Sequence, residues 1–237
     1  MATISDEIRN LKTQAKNRRD LRRYDRAASI LTRAIALATP DLANSELRSQ
    51  MAEELADCNG LLGGVQRRWA LEAEGEERRL HLMESIRAYD AAWEFESGDY
   101  GVVNSYGMLN RLVSRLLLNP DSLFAEGATE FGRDLRPLSM RAQLQEAGQR
   151  IEAQLARLRR DDYWAMADLA LVNVLLEKQD AISAYAGFLQ KSPPDYAFKS
   201  VLDVLKPLAE LKWKLADTLR KATRYLEQRA PGRQLAV

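Results

Sequence analysis

Apolar positions recur along this chain at spacings of three and four, the helical period, in blocks separated by polar or proline-bearing breaks. The pattern is plainest in SIRAYDAAWEFESGDYGVVNSYGMLNRLVSRLL, residues 85–117. Ile86, Tyr89 and Trp93 form one stripe there, with Ala88 and Ala92 between them. Val102, Tyr106, Leu109, Val113 and Leu116 form a second. Ser97-Gly98-Asp99 separates the two stripes, and a left-handed Gly98 is expected to end the first helix. Two such helices cannot bury both apolar faces alone, so the pair calls for copies of itself on either side.

The rest of the chain supplies them. A unit over 5–40 is expected to open at Ser5 as N-cap, with Asp6 and Glu7 in the first turn and Ile8, Leu11 and Ala15 buried. Its second helix, Tyr24 to Ala38, carries Ala27, Leu31 and Ala34 and is closed by Pro40. A second unit, 45–97, holds a helix from about Ser45 to Ala73 and a partner with Ser85, Tyr89 and Ala92. The third, 99–160, is interrupted at 119–138, too long and mixed for an ordinary connection; Leu123, Phe124 and Phe131 are expected to anchor it. A helix then resumes near Ser139 with Leu144, Ile151, Leu155 and Leu158 inward. The fourth unit, 161–194, opens on Asp161-Asp162 as caps, followed by Tyr163-Trp164, Val172, Ala181, Tyr185 and Phe188, and ends at Ser192-Pro193-Pro194. One or two helices over 195–230, kinked or broken at Pro207, would cap the stack. The expected fold is a single all-α domain, a right-handed solenoid of about four helix pairs plus a C-terminal cap.

Composition narrows the function more than the fold. With 35 basic and 34 acidic residues the formal net charge is +1, so no global field draws the chain to nucleic acid or membrane. No run approaches the 18 or so apolar residues of a membrane span. The N-terminus lacks the basic-then-apolar pattern of a signal peptide, and the expected location is the cytoplasm. The single cysteine, Cys58, excludes an internal disulfide and reads as a small packed residue.

Several stretches resemble a known repeat. Ala27, Leu31, Ala34 and Pro40 sit near the small, large, small and proline positions of the tetratricopeptide repeat's second helix. Leu62-Gly63 matches the Leu-Gly pair of its first helix, where a glycine lets the partner helix approach closely. Trp164, Ala181, Tyr185 and the two prolines give the clearest signature, while Leu11, Asn59 and Gln66 stand where that family often has aromatics. Over 84–194 the order ESIRAYDAAWEFESGDYGVVNSYGML, DDYWAMADLALVNVLL and SPPDY is similar to the TRAF-binding regulatory region of the apoptosis-signal-regulating kinases, which has stand-alone bacterial relatives. Kinase motifs are absent, so the resemblance implies a helical regulatory module that docks other proteins, an adaptor or regulatory subunit in a bacterial signalling or defence assembly.

In such folds the first helix of each pair lines a concave groove. Its outward residues here would include Arg9, Asp57 and the candidate partner-binding set Lys12, Lys16, Arg19, Arg67, Arg68, Asn104, Met108, Arg111 and Asn173. The expected partner is a segment of another protein; a groove rich in Arg, Lys and Asn can grip carboxylates, so an acidic segment is one option beside plain solvated helix faces, with self-association also open. The run KNRRDLRRYDR, Lys16 to Arg26, carries six basic residues against two acidic and offers an alternative RNA or nucleotide surface. Gly60, Gly63 and Gly64 lack the strand and the Gly-Lys-Ser/Thr of a phosphate loop. The sole histidine, His81, has Glu77 and Glu84 at helical spacing but is expected to be exposed on its helix. No catalytic set, cofactor site or metal site emerges, and a non-enzymatic role is expected.

Overall fold

A computed structural model describes residues 3–44, 46–98, 100, 102, 106–125, 127, 130–131 and 137–230. Ser45, Asp99 and Asn104, each singled out above, lie outside them. Among the described residues the regular structure is helical apart from one antiparallel pairing, Glu130 with Leu138 and Phe131 with Pro137. It divides into two compact units, Met1–Leu118 and Asn119–Val237. The boundary falls inside the third unit expected from sequence.

The first unit holds α1 (Ile4–Asp20), α2 (Tyr24–Ala38), α3 (Arg48–Glu72), α4 (Gly75–Ser97) and α5 (Tyr106–Leu118). The cap of α1 is Thr3, not Ser5. Its Oγ1 accepts from the Asp6 amide at 3.2 Å while the Thr3 amide donates to Asp6 Oδ2 at 3.1 Å, a reciprocal box only residues three apart can close. That hydrogen bonding also holds the Asp6 carboxyl below its ordinary pKa. At the other end Arg23 N donates to Arg18 O and Arg22 N to Arg19 O, both 2.9 Å, with Arg22 at φ 57°. This is the Schellman ending, with arginine where glycine is usual.

Small residues set how closely α3, α4 and α5 approach. A Cβ on Gly63 would lie 2.7 Å from the ring of the fully buried Tyr89, which is the close approach expected from the Leu62-Gly63 pair. A Cβ on Gly107 would lie 2.7 Å from Trp93 N and 2.9 Å from Tyr89 O, so α5 crosses α4 at backbone distance. Between these crossings Ser85 Oγ donates to Gly63 O at 2.8 Å and lies 2.9 Å from Ser114 Oγ. Glu96, near the end of α4, accepts from Gly107 N at 2.8 Å and Met108 N at 3.2 Å. A carboxylate borrowed from α4 thus satisfies the first amides of α5 and meets the positive end of its dipole. Gly98 follows α4 in extended conformation (φ −84°, ψ −176°), not left-handed. Space explains that glycine: a Cβ would meet Tyr100 at 2.8 Å and Glu94 O at 2.9 Å. Since α5 starts at Tyr106, Val102 is not part of it.

The second unit holds α6 (Met140–Arg157), α7 (Tyr163–Leu175), α8 (Tyr185–Gln190), α9 (Asp195–Glu210) and α10 (Ala216–Glu227). Ser139 caps α6 through the Ala142 amide, and Asp162 caps α7 through Trp164 N (2.8 Å) and Ala165 N (3.3 Å). The Schellman ending returns after α7: Lys178 N bonds Asn173 O at 3.0 Å and Glu177 N bonds Val174 O at 3.1 Å, with Glu177 at φ 55°. Pro207 does not break α9, because only three helical residues follow it and one ladder bond is lost near the end. Leu144 and Ile151 are fully buried, whereas Leu158 is 69% exposed because α6 has already ended. Of the expected anchors, Leu123 is buried and Phe124 lies at the surface with its ring 6.5 Å from that of Trp213. The Phe131 side chain lies outside the description.

Candidate functional site

Moving along α1, its partners on α3 advance in the same direction. Gln50 Nε2 donates to Ser5 Oγ at 2.9 Å, Lys12 Nζ reaches Glu54 at 2.5 Å and Asp57 at 2.7 Å, and Ala15, Lys16 and Arg19 share a crevice with Leu61 and Val65. The two helices therefore run parallel, offset by 42 to 45 residues at these bonds. From α3 to α5 one bond, Arg67 to Asn110 Oδ1 at 2.7 Å, has an offset of 43.

An open cleft of about 420 Å³ lies in the α1–α3 seam, lined by Arg9, Lys12, Gln50, Glu53, Glu54 and Asp57. Each faces outward because the apolar positions between them, Ile8 and Leu11 on α1 and Met51, Ala52, Leu55 and Ala56 on α3, turn into the core. Lys12 and Glu54 keep only 15% and 14% of their side chains exposed. Burial works against the Lys12 charge, yet Asp57 and Glu54 hold its pKa above the ordinary value. Arg9 pairs with Asp6 at 3.3 Å on the exposed rim. Above the cleft Lys16 is exposed and Arg19 pairs with its neighbour Asp20.

Of the candidates named from sequence, Lys12, Lys16 and Arg19 meet along this seam. Asn104 lies outside the described residues, and the remaining candidates do not join them. Arg67 is tied to Asn110, with its guanidinium 5.4 Å from the Tyr89 ring centre, and Arg68 is half-buried farther along α3. Met108 is 2% exposed and Arg111 7%, the latter 3.4 Å from Asp90 and 5.6 Å from the Trp93 ring centre. Both are corrected from groove-lining to interior positions, because residues 107–114 of α5 are buried on every face. Asn173 belongs to the second unit, half-buried on α7, with Oδ1 enclosed and without a hydrogen-bond partner among the described residues. The sequence reading missed Gln50, Glu53 and Glu54. Their spacing of three and four with Asp57, opposite the apolar face of α3, was the available signal.

His81 is not exposed. It is 8% accessible, stacks on Trp69 at 3.9 Å between ring centres, and places Nδ1 2.8 Å from Gln66 Oε1. Trp69 in turn stacks on Tyr24, whose hydroxyl donates to Glu72 at 2.6 Å. Burial and that carboxylate push the Tyr24 pKa up to about 12. Burial likewise raises the Cys58 thiol to about 12, so this cysteine is a packed, unreactive residue. Asp161 pairs with Lys191 and Asp162 caps α7, so their proximity reflects a helix start. Among the described residues no three His, Cys, Asp or Glu side chains converge as metal ligands, and no helix is long and apolar enough to cross a membrane. In comparisons with known proteins, no family model, curated protein or solved structure matches the chain.

Proposed function

We propose that the protein is a non-enzymatic interaction module of tetratricopeptide-like design, an adaptor or regulatory subunit that binds a segment of another protein along the seam of its first helices. The observation that carries this is the parallel register of α1 with α3, repeated at nearly the same offset by the Arg67–Asn110 bond to α5. Helix pairs stacked in register set first helix beside first helix. The face so formed is rigid, and a bound segment then gives up its own entropy while the protein gives up little. The cleft sits on that face with ionised side chains already held in place by partners across the seam.

A second reading rests on the α1–α2 corner. Among the described residues Lys16, Arg18, Arg23 and Arg26 make no ion pair, so this basic run presents unneutralised charge suited to RNA phosphates. One experiment separates the two. The tagged protein and a Lys16→Glu/Glu53→Lys variant, each checked for helicity by circular dichroism, are used for capture from the native host at moderate salt. A protein recovered by wild type and lost by the folded variant is the expected outcome. Recovery of nucleic acid alone, falling steeply with salt, replaces the adaptor with the RNA-binding reading.

A further inference from the structure

The parallel register has an electrostatic consequence. Along α1, Asp6 and Glu7 precede Lys16, Arg18 and Arg19, the arrangement that compensates a helix dipole. Along α3, which opens on Arg48 and has no acid in its first turn, Glu53, Glu54 and Asp57 precede Arg67 and Arg68. Because the helices run the same way, those three acids lie beside the first half of α1 and the seam becomes a charge gradient.

Three carboxylates (Glu53, Glu54, Asp57) line the cleft with two cations, Arg9 and Lys12, and Arg9 is already paired with Asp6 at the rim. Lys12 is shared by two of those carboxylates, and Glu53 makes no ion pair among the described residues, so negative charge is left over. Up the seam the sign reverses: Lys16 makes no ion pair among the described residues and Arg19 meets only Asp20, beside a crevice floored by Leu31, Leu61 and Val65. An acidic segment, one option raised by the sequence, fits only this upper half.

Resting on the binding face proposed above, we infer that the α1–α3 seam takes a protein segment of bipolar charge: a lysine or arginine lodged in the cleft against Glu53 and Asp57, and an aspartate or glutamate against Lys16 and Arg19. Lys12 Nζ already lies at hydrogen-bond distance from Glu54 and Asp57, so Glu53 is the lining carboxylate that makes no ion pair among the described residues. Geometry sets the spacing. Glu53 stands level with residue 8 of α1 in the offset of 45 seen at Ser5 and Lys12. From there to Lys16 and Arg19 is about 12 to 16 Å at ~1.5 Å per helical residue. An extended segment covers that in about four to five residues at ~3.3 Å each.

The test uses four fluorescein-labelled, acetylated and amidated twelve-residue peptides in a Gly/Ser background, titrated into the full chain at low salt and read by anisotropy. One carries Lys-Lys and Glu-Glu four residues apart, one the same residues adjacent, one four Lys and one four Glu. The spaced bipolar peptide is expected to bind at least about tenfold tighter than each of the others, because both charged groups engage at once. Either Glu53→Lys or Lys16→Glu/Arg19→Glu should abolish that advantage in a protein of unchanged helicity. Equal affinity for the spaced and adjacent peptides, or no binding of the spaced one, overturns the inference. If the all-Glu peptide binds best and loses affinity with Lys16→Glu/Arg19→Glu, the seam stands as a binding face but the bipolar partner does not. Peptide binding indifferent to every seam substitution removes the binding face as well.

Discussion

His81 shows how a single buried side chain imposes a pH dependence. Burial lowers its pKa below the ordinary value of 6.5, outweighing the opposing influence of Glu77 and Glu84. Gln66 and Trp69 face it from α3 and carry no charge that would offset the cost of an imidazolium. The folded chain therefore favours the neutral ring more than the unfolded chain does. That contribution to stability is complete above about pH 6.5 and is lost as the pH falls through the lower folded value. Because the chain has one histidine, the assignment is clean. Wild type should lose urea midpoint between pH 7.5 and 5.5, and His81→Gln should flatten that fall. An identical slope in the variant would place the dependence on carboxylates instead.

At the scale of the elements, helix contact is set by what occupies the crossings. Gly107→Ala gains about 1 kcal/mol of helix propensity. It also forces a methyl to 2.7 Å from a backbone nitrogen of α4, which cannot yield as a side chain can. The expected net loss is about 1 to 3 kcal/mol. Gly148→Ala is the matched comparison, since its Cβ would meet only one Val172 methyl at 3.1 Å, and it should be close to neutral. Denaturant midpoints of the two variants decide the point, and equal losses would contradict it.

The same crossings show how much of the fold could be read from the sequence. The helices, their apolar faces, the Gly63 approach and the Asp162 cap were legible, because each depends on residues within a few positions or on a strong local preference. Gly107 was not singled out, since nothing nearby tells that its partner is a bare stretch of α4 backbone. Glu96 hides its role for the same reason: it caps a helix that begins ten residues later. Groove residues suffered most. Helical period alone makes Met108 and Arg111 look like an outward face, and only the burial of α5 on every side turns them inward. Lys12, Lys16 and Arg19 do lie along one outward seam, because α1 is amphipathic with one face left open.

For the whole molecule, near-zero net charge conceals how the charge is arranged. Thirty-five cations and 34 anions nearly cancel in sum, yet the parallel helices sort part of them into an acidic cleft and a basic corner on one face. If the protein is the interaction module proposed above, it is expected to recognise the order of charges in a partner more than their total, and its binding should weaken with salt without vanishing. The most direct measurement of this account is amide hydrogen exchange of the full chain, alone and with the partner recovered by capture. Protection confined to α1 and to the first half of α3, about residues 5–19 and 50–65, is the expected result. Protection on α2 and α4, or on α9 and α10, with α1 and α3 unchanged, would contradict it and move the binding face elsewhere.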